Sequence, residues 1–262
     1  MAIVVWLIAA YVGICLAAYL GNRLLMYIPD PSRTRPAEVG LDGVREIEIT
    51  VDDGVRLVAW HAPAKKNQPT ILYFHGNGAN AANRAPKIEM IRASGFGVFY
   101  LNNRGYGGSG GRPTEKNNVA DAIAAYDYLI GLGVPASSIV AYGESLGSGQ
   151  GLAAKRPAAA VVLEAPLTST VDVGRTTYFW LPLSLLITDK YDNERNIRSV
   201  AVPVLILHGE QDTVIPVEMG WRVYRAANEP KRIELFPDGA HEDLFDHGAW
   251  ERTQSFLASV GG

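Results

Sequence analysis

Residues 138–156 read SIVAYGESLGSGQGLAAKR. An apolar run, 139–142, leads into Gly143-Glu144-Ser145-Leu146-Gly147, and a segment of small residues follows that can start a helix close against a sheet. This order matches a sharp strand-to-helix turn that lifts a serine hydroxyl out of the backbone, with the flanking glycines relieving the crowding. The same G-x-S-x-G pattern occurs at 107–111, within RGYGGSGGRP. There Pro113 follows closely and neither a strand nor a helix is in reach. Ser145 is therefore the candidate nucleophile, and Ser109 is read as a loop residue.

The chain outside this turn repeats its rhythm. The stretches REIEITV (45–51) and VRLVAWH (55–61) alternate in polarity around Asp52-Asp53-Gly54, which predicts a hairpin. After them come TILYFHG, FGVFYLN, SIVAYG, AVVLEAP, VPVLILHG and KRIELFP, most of them separated by helix-compatible segments such as 116–130. Continuous apolar strands alternating with helices predict an α/β fold with a mostly parallel central sheet covered on both faces. The expected catalytic domain is 42–262. One interval, 166–199, breaks the rhythm and contains RTTYFWLPLSLLI (175–187). It reads either as a buried helix or as an apolar cap over a site. Pro182 and its short length argue against a second membrane span.

A serine hydroxyl needs a base to take its proton. Of five histidines, His241 lies in FPDGAHEDLF, directly after the last apolar run. His247 falls in the expected final helix, His75 and His208 each close a strand as His-Gly, and His61 ends the hairpin. The base is expected at His241. A carboxylate must then hold the imidazole in one tautomer. Asp212, just past VLILHGEQD, is the expected acid, with Glu164 at the end of AVVLE as its rival. The order Ser145, Asp212, His241 is the Ser…Asp…His order of α/β-hydrolases. Donors for a developing oxyanion are expected at the backbone N–H groups of Leu146 and of Asn77, in His75-Gly76-Asn77-Gly78.

Composition sets limits on the rest. The chain has 262 residues, 48% hydrophobic, and a net charge of −3, which argues against an electrostatically driven nucleic-acid binder. A single cysteine, Cys15, excludes a disulfide scaffold or a multi-cysteine metal site. Residues 1–22 carry no Asp, Glu, Lys or Arg, although the chain holds 24 basic and 27 acidic residues. At about 1.5 Å per residue, 20 such residues reach roughly 30 Å, the hydrocarbon thickness of a bilayer. We expect a single-pass transmembrane anchor at 1–22 and a connector at 23–41. A cleaved signal peptide is the competing reading, with Ala17-Ala18 as a small-residue site. The run lacks a basic leader and exceeds the usual 7–15-residue apolar core of such a peptide. Arg23, Arg33 and Arg35 follow the span, so the positive-inside rule favours a cytoplasmic catalytic domain.

From FHGNGAN, NNRGYGGSGGRPTE, YGESLGSG, HGEQDTVIP and FPDGAHEDL, the chain resembles the α/β-hydrolase superfamily over about residues 42–260. More narrowly it is similar to the membrane-anchored branch that holds the bud-emergence (Bem46-like) homologues and relatives of mammalian protein depalmitoylases. The resemblance implies a serine esterase or thioesterase without metal or cofactor, the triad Ser145, Asp212 and His241, and a scaffold role for Arg104. The depalmitoylases carry several N-terminal cysteines as lipid attachment points, whereas this chain has only Cys15. Generic acyl-ester or thioester hydrolysis, with an apolar acyl substrate, therefore carries over better than protein depalmitoylation. A prolyl-oligopeptidase-type peptidase, a bilayer lipase and a non-catalytic membrane-bound scaffold are the alternatives.

Overall fold

The structure is a computed structural model and describes residues 1–78 and 80–260. Helix α1 (Ala2–Met26) comes first, buries none of its residues, and is long and apolar enough to cross a membrane. It runs four residues beyond the expected span because Arg23-Leu24-Leu25-Met26 are good helix formers. Pro29 then disfavours helical backbone at Ile28 and turns the chain off the axis.

The expected hairpin forms from β1 (Arg45–Thr50) and β2 (Arg56–Ala62), with Thr50 opposite Arg56 at the turn. Next come β3 (Thr70–Phe74), α2 (Ala85–Ala93), β4 (Gly97–Leu101) and α3 (Glu115–Gly131). They are followed by β5 (Ile139–Glu144), α4 (Leu146–Ala154) and β6 (Ala160–Glu164). Three short helices, α5 (Thr170–Thr177), α6 (Leu183–Leu186) and α7 (Asn193–Asn196), precede β7 (Val204–Gly209). The chain ends with α8 (Val217–Ala226), β8 (Lys231–Phe236) and α9 (Ala249–Val260). The eight strands form one sheet in the order β1-β2-β4-β3-β5-β6-β7-β8. Only the β1–β2 and β2–β4 pairs are antiparallel.

Successive strand residues point to opposite faces, so a strand apolar at every position needs a cover on each side. On one face Tyr73, Tyr100 and Tyr142 pack with Ile88 of α2 and Trp250 of α9. On the other, Leu72, Phe74 and Phe99 pack with Ala122 and Leu129 of α3. The interval between β6 and β7 does not form the buried-helix alternative. α5 stops at Thr177, Pro182 precedes the single turn of α6, and Tyr178 and Phe179 between them stay exposed.

Candidate active site

The parallel run β5-β6-β7-β8 sets the carboxyl ends of four strands side by side. Loops leaving these ends carry the three residues singled out above. Ser145 sits between β5 and α4 with φ 51° and ψ −119°, a backbone conformation that side chains rarely adopt. Such a conformation costs on the order of 1–3 kcal/mol and persists only where its surroundings enforce it. Gly147 is part of that enforcement. A Cβ there would run into the carbonyl of Phe74, so only glycine lets the first turn of α4 press on the end of β3. Gly147→Ala is expected to lower stability by about 3 kcal/mol, the upper range for overpacking. Thermal unfolding of the purified variant measures it.

Asp212 follows β7, and its Oδ1 accepts the backbone N–H groups of Val214 and Ile215, both at 2.8 Å. Gly209, at the end of β7, has no room for a Cβ against the carbonyls of Gly239 and Ala240, which brings the loop after β8 onto that of Asp212. His241 lies in this second loop. Its Nδ1 donates to Asp212 Oδ2 at 2.7 Å, and its Nε2 faces Ser145 Oγ at 3.0 Å. Burial alone would raise the carboxyl of Asp212, but hydrogen bonds from His208 and His241 outweigh it and hold the group below the usual carboxylate range. Burial would likewise lower His241. The hydrogen bond and charge of Asp212 overcome that effect and raise its proton affinity.

The rival residues have other partners. Glu164 accepts from Lys87 Nζ and Tyr142 OH, both at 2.7 Å. Ser109 Oγ donates to Asn102 O and accepts from Val58 N–H, both at 2.8 Å, which fastens the glycine-rich loop to β2. His75 accepts the N–H of Asn103 at 3.0 Å and is driven down to about 4 by its burial, so it is a neutral structural ring. Arg104 grips Asp121 of α3 with two bonds of 2.8 Å, in keeping with a scaffold role.

Asn77 holds an unforeseen position. Its side-chain Oδ1 accepts Ile28 N–H at 2.9 Å and Tyr106 OH at 2.8 Å, while Nδ2 donates to Met26 O. The loop beside Ser145 is thus tied to the end of α1. Ser145, Leu146 and Asn77 all line one cavity of about 650 Å³, whose other walls are mostly apolar.

A second feature is missing from the sequence reading. Beneath Ser145, Glu144 is gripped by Arg84 Nε at 3.0 Å and by Lys87 Nζ at 3.3 Å, and Lys87 also reaches Glu164. Burial would raise Glu144, but these two cations hold it well below the usual carboxylate range. Arg84 also meets Glu242, the neighbour of His241, at 3.3 Å, so one guanidinium links the serine turn to the histidine loop.

Comparison with known proteins agrees with this architecture. A family model for the alpha/beta hydrolase fold matches residues 69–196, and one for serine aminopeptidase, S33, matches residues 174–248. The uncharacterized protein Rv2307c of Mycobacterium tuberculosis is 36% identical, over 88% of this chain and 84% of its own length. The lysophosphatidylserine lipase ABHD12 of Danio rerio is 25% identical, over 88% of this chain and 73% of that protein. Among solved structures, the Pyrococcus furiosus esterase Pf2001 superposes with a TM-score of 0.71 at 21% identity, covering 90% of this chain and 97% of that one. The fold, the strand-end loops and the relatives converge: the chain belongs to the α/β-hydrolase family and is a hydrolase.

Proposed function

We propose that this hydrolase is a membrane-tethered serine enzyme that cleaves acyl esters or thioesters, with residues 1–22 as its anchor and the 166–199 interval as a cap. The observation that carries the reading is the unbroken relay from Ser145 Oγ through His241 to Asp212, with links of 3.0 and 2.7 Å, opening onto a mostly apolar cavity. In the reaction, His241 Nε2 takes the proton of Ser145 as Oγ attacks the acyl carbonyl. Asp212 keeps the other imidazole proton on Nδ1 and stabilises the imidazolium. The amides of Asn77 and Leu146 receive the oxyanion. As the tetrahedral intermediate collapses, His241 hands its proton to the departing alcohol or thiol. Water, deprotonated by the same imidazole, then releases the acid and regenerates Ser145.

The lipase and esterase relatives support an ester substrate. The match to the aminopeptidase model favours a second reading, a peptidase with the same three residues. Recognition of a peptide amino terminus needs a carboxylate. Among the described residues lining the cavity there is neither Asp nor Glu, which favours the ester. Arg23, Arg33 and Arg35 support a cytoplasmic catalytic domain, which protease protection in sealed vesicles would check.

A fluorophosphonate probe tests the nucleophile. Mass spectrometry is expected to find a single adduct, on Ser145, that disappears in Ser145→Ala. An adduct on Ser109, or labelling that survives the substitution, overturns the assignment.

A further inference from the structure

The cavity at Ser145 takes one of its walls from α1. Cap residues such as Val173, Leu183 and Ile187 form one side, and Ile14, Ala17 and Ala18 of α1 form another. Ile14, Ala18, Asn22 and Leu25 recur at helical spacing, so one face of the anchor runs along the cavity. From Met26 to Ile14 this contact covers about 18 Å of helix at about 1.5 Å per residue. The volume of about 650 Å³ falls in the range of roughly 300–1,000 Å³ typical of small-molecule sites.

Polar contacts fix α1 at this station. Arg23 makes two bonds to Asp189, of 3.0 and 3.1 Å. Thr188 Oγ1 donates to Asn22 Oδ1 at 3.0 Å, and the buried Tyr27 donates to Asp189 at 3.1 Å. Higher up, Tyr11 OH donates to the carbonyl of Trp180 at 3.0 Å.

That last contact locates the cap tip. Tyr11 lies twelve residues, or about 18 Å, above the first charged residue of the chain, Arg23. With Arg23 at the edge of a hydrocarbon layer of roughly 30 Å, Tyr11 lies well inside it. If α1 spans the bilayer, Trp180 and its neighbours lie within the apolar layer. Their surface agrees: Phe179 is 80% exposed and Leu185 76% exposed, next to the exposed apolar flank of α1.

We infer that the anchor helix is one wall of an acyl-chain chamber, and that the substrate is a long-chain fatty acyl ester drawn sideways from the bilayer that holds the anchor. This inference rests on Ser145 as the nucleophile. The chain lies between α1 and the cap, and the ester carbonyl sits at Ser145 with its polar head toward water. Ala17 and Ala18 keep the chamber open because their side chains are small. The link from Asn77 to Met26 and Ile28 couples the position of the anchor to the oxyanion loop.

The test uses the full chain in phosphatidylcholine vesicles and p-nitrophenyl esters from butyrate to palmitate. Wild type is expected to favour the long esters. Ala18→Phe is expected to cut the palmitate-to-butyrate ratio of kcat/KM by about ten- to a hundredfold, the range set by steric fit in an apolar pocket. Ala9→Phe, which adds the same bulk to the opposite face of α1, is expected to leave that ratio unchanged. A hexadecyl fluorophosphonate with a terminal diazirine gives a readout on wild type itself: irradiation should crosslink its tail into residues 14–18. Normal labelling of Ser145 with crosslinks confined to residues beyond 41, or with an unchanged ratio in Ala18→Phe, overturns the chamber while sparing the nucleophile. Absence of any Ser145 adduct overturns both. Monopalmitoylglycerol in the vesicles should be cleaved faster than a palmitoyl-thioester peptide in solution, and equal rates overturn delivery from the bilayer.

Discussion

The Ser145→Ala variant is expected to lose roughly 10⁶-fold in kcat on a p-nitrophenyl ester, and Asp212→Asn roughly 10⁴-fold, with no further loss when the two are combined. The unequal sizes follow from the roles proposed for the two residues. Without Oγ no acyl-enzyme forms, and only the oxyanion donors and substrate binding remain. With Asn at 212 the nucleophile survives, but an amide N–H now faces Nδ1 and pushes the imidazole into the wrong tautomer. The double variant cannot fall below the single one, because a mispositioned base has nothing left to deprotonate.

The pH profile reads the same coupling independently. Protonated His241 cannot accept the proton of Ser145, so kcat/KM falls on the acid side as the imidazole is protonated. Asp212 raises His241, so the wild-type midpoint should lie above the ordinary histidine value of about 6.5. In Asp212→Asn that support is removed, and the midpoint should move toward acid. An Asp212→Asn variant with near wild-type kcat and an unmoved midpoint would remove Asp212 from the mechanism.

Ser145 was legible in the sequence because its signal is local, a strand, a turn and a helix within nineteen residues. Asp212 and His241 were legible for a related reason. Parallel strands in sequence order bring successive carboxyl ends together, so residues just past two apolar runs meet near a third. The hairpin and the six later strands were equally plain, since continuous apolar runs bounded by turns need a sheet with two covered faces. The cations under Ser145 were hidden. Arg84 and Lys87 stand three apart at the start of α2, a spacing that by itself says nothing of burial. Only the β5–β6 register, which sets Glu144 beside Glu164, creates a pair of buried carboxylates that calls for them. Their trace in the sequence was the ending of two apolar strands, VAYGE and AVVLE, in glutamate. The packing of α1 against the 166–199 interval left no local trace either, because Arg23 and Asp189 are 166 residues apart and Tyr11 and Trp180 are 169 apart.

Lys87→Met is expected to destabilise the fold by about 3–5 kcal/mol, the usual effect of removing one partner from a buried ion pair. In a chain of this size that lowers the melting temperature by roughly 10 °C. Lys87 is buried, and so are the two carboxylates it serves. Arg84 can still neutralise Glu144, but Glu164 would keep only the hydroxyl of Tyr142 while its charge stayed in the sheet. Methionine fills the space of the lysine stem, so the loss measures charge rather than a cavity. Replacing Glu164 as well, in Lys87→Met/Glu164→Gln, removes the orphaned charge and keeps an acceptor for Tyr142. The double variant should regain most of the lost stability, because a pair deleted together leaves nothing uncompensated. Differential scanning calorimetry of the three proteins at one pH decides the matter. If the double variant melts lower than Lys87→Met, the cluster contributes through packing and the electrostatic account fails.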